Sequence, residues 1–316
     1  MGRGSHVETL EDRIRTRPWM VSMHGGHSGE FCDHAEGSLH QMLDAAIAAG
    51  FHTFGVSEHA PRCEDRFMYP NERNLGWTLK KTMADFERYM QILPNVAAEY
   101  AGQLSVVRGF ECEVVPEATY IERTLAYRRR TISGATATPL FDYFVGSVHF
   151  VGEIPIDGEP EQWTEAARAQ GGPENLAVEY YATIERMVQA LHPDIVGHLD
   201  LIKLNVERAG FDPAALITSR VISAAQRTLE AIRANGGILD LNTAGWRKGL
   251  SEPYPAPWLI RLAASMSIPF CFGDDSHRPD QVGFGIERAR DYLLENGVDT
   301  VTSVAPGGER TLRRLL

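Results

Sequence analysis

Short apolar runs that end in a histidine or a carboxylate recur along this chain, separated by stretches with helical periodicity. His24 and His27 follow Val21–Met23, and His34 closes FCDH. His59 ends TFGVSEH, Glu111 ends SVVRGFE, His149 ends FVGSVH and His198 ends DIVGH. Asp275 and His277 close PFCFGDDSH. Runs this short and this rich in Val, Phe and Ile read as buried strands. Between them, Ser38–Gly50 puts Leu39, Met42, Leu43, Ala46 and Ile47 on one helical face, with Ser38 as N-cap and Gly50 as stop. Glu174–Leu191, Ser219–Asn235 and Pro257–Met266 read as helices that precede strands Asp194–Gly197, Ile238–Leu241 and Pro269–Phe272. Helix-then-strand alternation predicts an α/β fold with a parallel sheet and helices on its faces. Side chains delivered from the C-terminal ends of such strands are how a β/α barrel assembles a site.

The chain has 316 residues, 43% of them hydrophobic, enough for one large α/β domain. Residues 1–18 read as an N-terminal tail and 19–316 as a single domain, because no linker divides the chain. Trp77–Leu93 reads as a further helix, and Gly152–Gly172 as a long surface loop rich in Pro, Gly and acidic residues. Segment Glu122–Pro139 has no clear pattern. The formal net charge of −11 argues against nucleic acid as a stable partner. It leaves room for a small phosphorylated substrate, since bound cations reverse a local field. No apolar run is long enough for a membrane span, and the polar start has no signal-peptide core. Cys32, Cys63, Cys112 and Cys271 form no CxxC pair, so they read as reduced thiols of a cytoplasmic protein.

A single histidine at a strand end is more often a hydrogen-bonded structural residue than a ligand. Here seven of eleven histidines share that setting; His6, His40, His52 and His192 do not. Imidazole and carboxylate together suit zinc, manganese or iron. Gly25, Gly26 and Gly29 let the first loop turn tightly around an ion. Asp33, Glu30 and Asp274 read as supports, and Cys32 as a buried thiol. Alternation puts Glu111 and Glu113 on one face; Glu111 is the candidate to bridge two ions, and Glu113 to make a salt bridge.

The segments SEHAP, GFECE, SVHF, GHLDLIK, NTAGWRKG, EPYP and GDDSHRPD resemble the polymerase-and-histidinol-phosphatase (PHP) superfamily, and within it the monofunctional histidinol-phosphate phosphatase branch. The resemblance runs from about Met20 to Gly285. It implies a distorted seven-stranded TIM-like β/α barrel with three divalent metal ions. By motif, His24, His27, Glu111 and Asp275 would hold the first ion. Glu111, His149 and His198 would hold the second, and His34, His59 and His277 the third. The family usually separates its first two histidines by one residue, whereas this chain has two glycines between them. Either the extra glycine bulges and both imidazoles stay in place, or His24 leaves the ligand set.

The implied activity is hydrolysis of a phosphate monoester, histidinol phosphate first, in histidine biosynthesis. Glu111, Asp275 and Arg247 would carry catalysis. Arg247, Lys248, Arg278 and Arg62 would bind the phosphate oxygens, with Arg247 ranked first for its place in a Gly-flanked loop. The alternatives are another PHP phosphoesterase acting on a nucleotide or other small ester, a non-catalytic metal-binding module, and an amidohydrolase barrel. The last would need a lysine at a ligand position, and none is present.

Overall fold

The computed structural model describes residues 8–132 and 137–316. Two parallel sheets form its centre. One carries Val21–Ser22, Thr53–Val56 and Ser105–Arg108 in that order. The other runs Phe270–Gly273, Ile238–Asn242, Ile195–Val196, Val145–Gly146, Glu111–Cys112. Their edges meet twice. A parallel bridge joins His59 to Glu111, and Met23 N donates to Phe272 O at 2.7 Å.

The strands are short and mostly buried, and the apolar side chains around them fall into two clusters. A small cluster supplied mainly by the strands holds Met23, Val107, Tyr143, Val145, Ile195, Ile238, Cys271 and Val304. The large cluster joins residues of strands and helices. Tyr143 fills the interior so closely that Gly55 and Gly109 must lack side chains. A Cβ on either would fall 2.3 or 2.4 Å from its ring or hydroxyl.

Helix Leu39–Ala48 begins at Ser38, whose hydroxyl accepts from Gln41 N. Pro173–Leu191, Ser219–Ala234 and Pro257–Ser265 stand where the periodicity predicts. Leu79–Glu99 runs past the expected end at Leu93, continuing through Pro94 and burying Val96. The unpatterned segment holds helix Tyr120–Arg128 and the antiparallel pair Thr131–Ile132 with Thr138–Pro139; residues 133–136 of it lie outside the described part.

Two expectations need correction. Gly152–Gly172 is not simply a loop: it contains helix Pro160–Ala169, which buries Trp163, Ala166 and Ala167. That i, i+3, i+4 stripe, started by Pro160 at the first helical position, outweighs the surrounding Gly and acidic residues. Within the supposed tail, Leu10–Thr16 is a helix whose buried Arg13 donates to the carbonyls of Phe51 and Gln103. The hairpin Thr300–Val304 with Arg310–Arg314 was unmarked in the sequence; it places Val304 in the small cluster. Among the described residues no helix is long and apolar enough to cross a membrane.

Candidate metal centre

Four of the seven histidines, His24, His34, His149 and His277, have Nδ1 beside a supporting oxygen, whereas His27 and His198 have no partner there and His59 turns Nδ1 to Glu111. His24 Nδ1 lies 2.7 Å from Asp240 Oδ2, and His149 Nδ1 lies 2.8 Å from Glu113 Oε2. His59 Nδ1 lies 2.9 Å from Glu111 Oε2. His277 Nδ1 lies 2.9 Å from Asp275 O, and His34 Nδ1 lies 3.1 Å from Asp33 Oδ1. A carboxylate or carbonyl behind the ring fixes its tautomer and aims the other nitrogen's lone pair forward, as metal ligands require.

The forward nitrogens converge on Glu111. Its Oε1 lies 3.3 Å from His24 Nε2, 3.3 Å from His198 Nε2 and 3.7 Å from His149 Nε2. His27 Nε2 is 3.9 Å from Glu111 Oε2 and 3.5 Å from Asp275 Oδ1. His149 and His198 face each other Nε2 to Nε2 at 3.2 Å, and His59 and His277 do so at 3.4 Å. Two nitrogens so opposed share no good hydrogen bond unless a cation or proton stands between them.

The donor set fits divalent cations on one physical test. Both Glu111 oxygens, both nitrogens of His27, and His24 Nε2 are buried without a hydrogen-bond partner. Orphaned polar atoms of this density are costly unless something absent from the protein chain satisfies them. Four three-residue groups satisfy ligand spacing: His24, His27, Glu111; His24, His198, Asp275; His27, Asp275, His277; and Glu111, His149, His198. A fifth joins His34, His59 and His277 to Cys32. Every one of the nine ligand candidates from sequence is brought into these groups.

Electrostatics agree with a site built for positive charge. Burial works against the Glu111 carboxylate, but His24 and His59 outweigh it and hold its pKa well below the usual range. Burial likewise opposes a charged His24, yet Glu111 and Asp240 raise its pKa well above 6.5. His149 is raised to about 9, burial being overcome by Glu113. Backbone strain sits here too: Asp275 and His198 have φ of 48° and 22°, unusual for residues with a side chain and typical of functional positions.

The extra glycine is accommodated as a bulge. Gly25 N donates to Ser57 Oγ and Gly26 N to Ser276 Oγ, both at 3.1 Å, and Gly26 takes φ of 71°. His24 and His27 therefore both reach Glu111 despite their spacing.

A cavity of about 360 Å³ opens above the cluster. Of the four cations expected at the phosphate, Lys248 and Arg62 line it; Arg247 and Arg278 do not. Arg247 is engaged elsewhere in this structure. It ends the short helix Ala244–Arg247, which turns its guanidinium onto the carbonyls of Asp274 and Asp275 at 2.8 and 2.6 Å. It ties the Asp274–Asp275 backbone in place. Arg278 pairs with Asp280 and Glu36 at the surface. Arg62 is bonded to Glu72 and stacks on Tyr69.

Asp240 escaped the sequence reading. An acidic residue inside the apolar strand ILDLN was the signal: it is fully buried, and only a partner such as His24 makes that tolerable. Glu58 was overlooked in the same way. Buried with Ser28 N and Oγ as donors at 2.8 Å, its pKa is pushed by burial to about 8.

Comparison with known proteins bears on this geometry. The PHP domain family matches residues 24–244. A Schizosaccharomyces pombe protein named "Probable histidinol-phosphatase" is 34% identical over 91% of this chain and 90% of its own. The histidinol-phosphatase of Saccharomyces cerevisiae is 29% identical over 86% of this chain and 88% of its own. In fold, the chain is similar to the histidinol phosphate phosphatase of Lactococcus lactis, whose crystal structure is a complex with zinc, L-histidinol and phosphate. That match has a TM-score of 0.65 and 19% identity, and it covers 93% of this chain and 99% of that one. With the family pattern spanning residues 24–244 and a relative 34% identical over 91% of the sequence, the chain belongs to the PHP domain family.

Proposed function

We propose that this protein is a phosphate monoester hydrolase that converts L-histidinol phosphate to L-histidinol and phosphate in histidine biosynthesis. The observation that carries the reading is Glu111: a buried carboxylate with no well-formed hydrogen bond to either oxygen, ringed by five histidines, the nearest being His59 Nδ1 at 2.9 Å, on the floor of a cavity. The named relatives, matched over most of their length, support this substrate.

Three ions divide the nine residues. The first goes to His24, His27, Glu111 and Asp275, the second to Glu111, His149 and His198, and the third to His34, His59 and His277. Cations bound there neutralise phosphoryl oxygens and lower the pKa of an attacking water. The chain's own residues do the rest. Asp240 and Glu113 hold His24 and His149 in the ligating tautomer, and Arg247 fixes the Asp275 loop. Lys248, exposed on the cavity wall, takes the phosphate charge left free, with Arg62 beyond it. The lining also holds the acidic wall residues Glu113, Glu159 and Asp157, whose Oδ1 has no partner. Such a wall suits the cationic end of histidinol.

The two sheets form one distorted seven-stranded barrel within a single domain. In support, Ser105–Arg108 and Glu111–Cys112 follow one another as one interrupted strand, and the two edge contacts close the ring. Four free cysteines suit a reducing cytoplasm. The test is a phosphate-release screen of metal-loaded protein against histidinol phosphate, nucleotides and sugar phosphates. Histidinol phosphate should lead by kcat/KM. A nucleotide in that place would make the chain a different PHP phosphoesterase.

A further inference from the structure

The third ligand group contains an atom that the nine-residue set leaves out. Cys32 Sγ lies 3.3 and 3.6 Å from Nδ1 and Nε2 of His34, and it groups with His34, His59 and His277 so that one donor atom of each falls within 4.8 Å of the others. Cys32 is 5% exposed and forms no disulfide. Each of the three histidines has its Nδ1 beside a carboxylate or carbonyl oxygen, as described above. That leaves three Nε2 atoms and one sulfur. A tetrahedral ion with bonds of about 2.0 Å to nitrogen and 2.3 Å to sulfur spaces its ligand atoms roughly 3.3–3.6 Å apart. The His59–His277 separation of 3.4 Å and the His34 Nε2–Cys32 separation of 3.6 Å match two edges of that figure. The ring of His27, with both nitrogens unpartnered and 0% exposed, stacks on His59 and His277 at 4.3 Å, while the group itself lines the cavity.

We infer that Cys32 binds as a thiolate to the ion held by His34, His59 and His277, making this position a sulfur-containing site that prefers zinc or a similarly soft cation to manganese or magnesium. The inference rests on the reading that this cluster holds metals. As the metal–sulfur bond forms, the S–H bond breaks and its proton leaves to solvent. One soft ligand among nitrogens shifts selection toward zinc, cobalt and cadmium and away from cations that favour oxygen. It also distinguishes this position from the two bridged by Glu111, whose donors are nitrogen and oxygen only.

The test is to load the full-length protein with cobalt(II), count bound cobalt by elemental analysis, and record the near-ultraviolet spectrum. A thiolate-to-cobalt charge-transfer band should be present in the wild type and in Cys63→Ser, and lost in Cys32→Ser. Wild-type protein with its full cobalt but no such band overturns the inference, as does a band that persists in Cys32→Ser. If Cys32→Ser does not fold, cadmium NMR of the wild type decides. One resonance displaced downfield by sulfur supports the thiolate; resonances confined to the nitrogen and oxygen range remove it. Protein that binds cobalt and releases phosphate without the band loses only the thiolate. Protein that shows the band and hydrolyses no phosphate ester loses the proposed function instead.

Discussion

Glu111 and Glu113 stand two apart on one strand end, and their contacts separate their roles. Glu111 faces five imidazoles, whereas Glu113 meets one, accepting from His149 Nδ1 and from Val114 N. Glutamine keeps the shape of either side chain and removes the charge. Glu113→Gln should lower metal affinity or activity about 10–100-fold, the usual cost of an outer partner, and Glu111→Gln should exceed that. Elemental analysis beside steady-state kinetics checks the order; the reverse order would mean that Glu113 faces the ions. Arg247→Ala should act through Asp275, because its two bonds go to the backbone of the ligand loop. Each charged hydrogen bond of this kind contributes roughly 1.5–3 kcal/mol. Bound metal and kcat should fall together in this variant. A rise in KM alone, with metal retained, would return Arg247 to the phosphate. The ligands themselves were legible in the sequence because each ends an apolar run. Asp33 and Glu113 were legible behind them, but Asp240 was not, since a buried carboxylate is identified by what it touches, and its partner His24 lies 216 positions away.

At the scale of elements, the loop between His24 and His27 is the most exacting. Gly26 in left-handed conformation and the amide bonds to Ser57 and Ser276 let two residues fit where one is usual. Deleting Gly26 removes the anchor to Ser276 and should pull one imidazole off Glu111. We expect fewer bound ions and a lower Tm, read by elemental analysis and thermal unfolding; unchanged metal content would show that the bulge is incidental. Most helices were legible from periodicity, since stripes such as Leu39, Met42, Leu43 and Ala46 repeat over several turns. Pro160–Ala169 was hidden because only three of its residues face the core, and the flanking Gly and acidic residues read as loop. The C-terminal hairpin was hidden for another reason: Arg310–Arg314 is charged at three of its five positions and carries little apolar pattern.

For the molecule as a whole, the metal centre couples stability to pH. In the metal-free protein His24 is raised well above 6.5, His149 to about 9 and Glu58 to about 8. A group with a raised folded-state pKa binds more protons folded than unfolded, so stability falls as pH rises through that interval. His27, lowered to about 3, acts the other way but only below its unfolded pKa. Between about pH 6.5 and 9 the metal-free protein should therefore lose stability. Metal-loaded protein should gain over the same range, because ligands that have shed protons bind more tightly. Thermal unfolding with and without chelator checks this, and parallel trends would contradict it. The central claim is that nine side chains from distant strand ends hold three ions. An anomalous difference map from crystals of metal-loaded protein tests it most directly. Three peaks should appear, one beside His24 and His27, one beside His149 and His198, and one beside His34, His59 and His277. A single peak, with most of the nine side chains remote from it, would contradict the account.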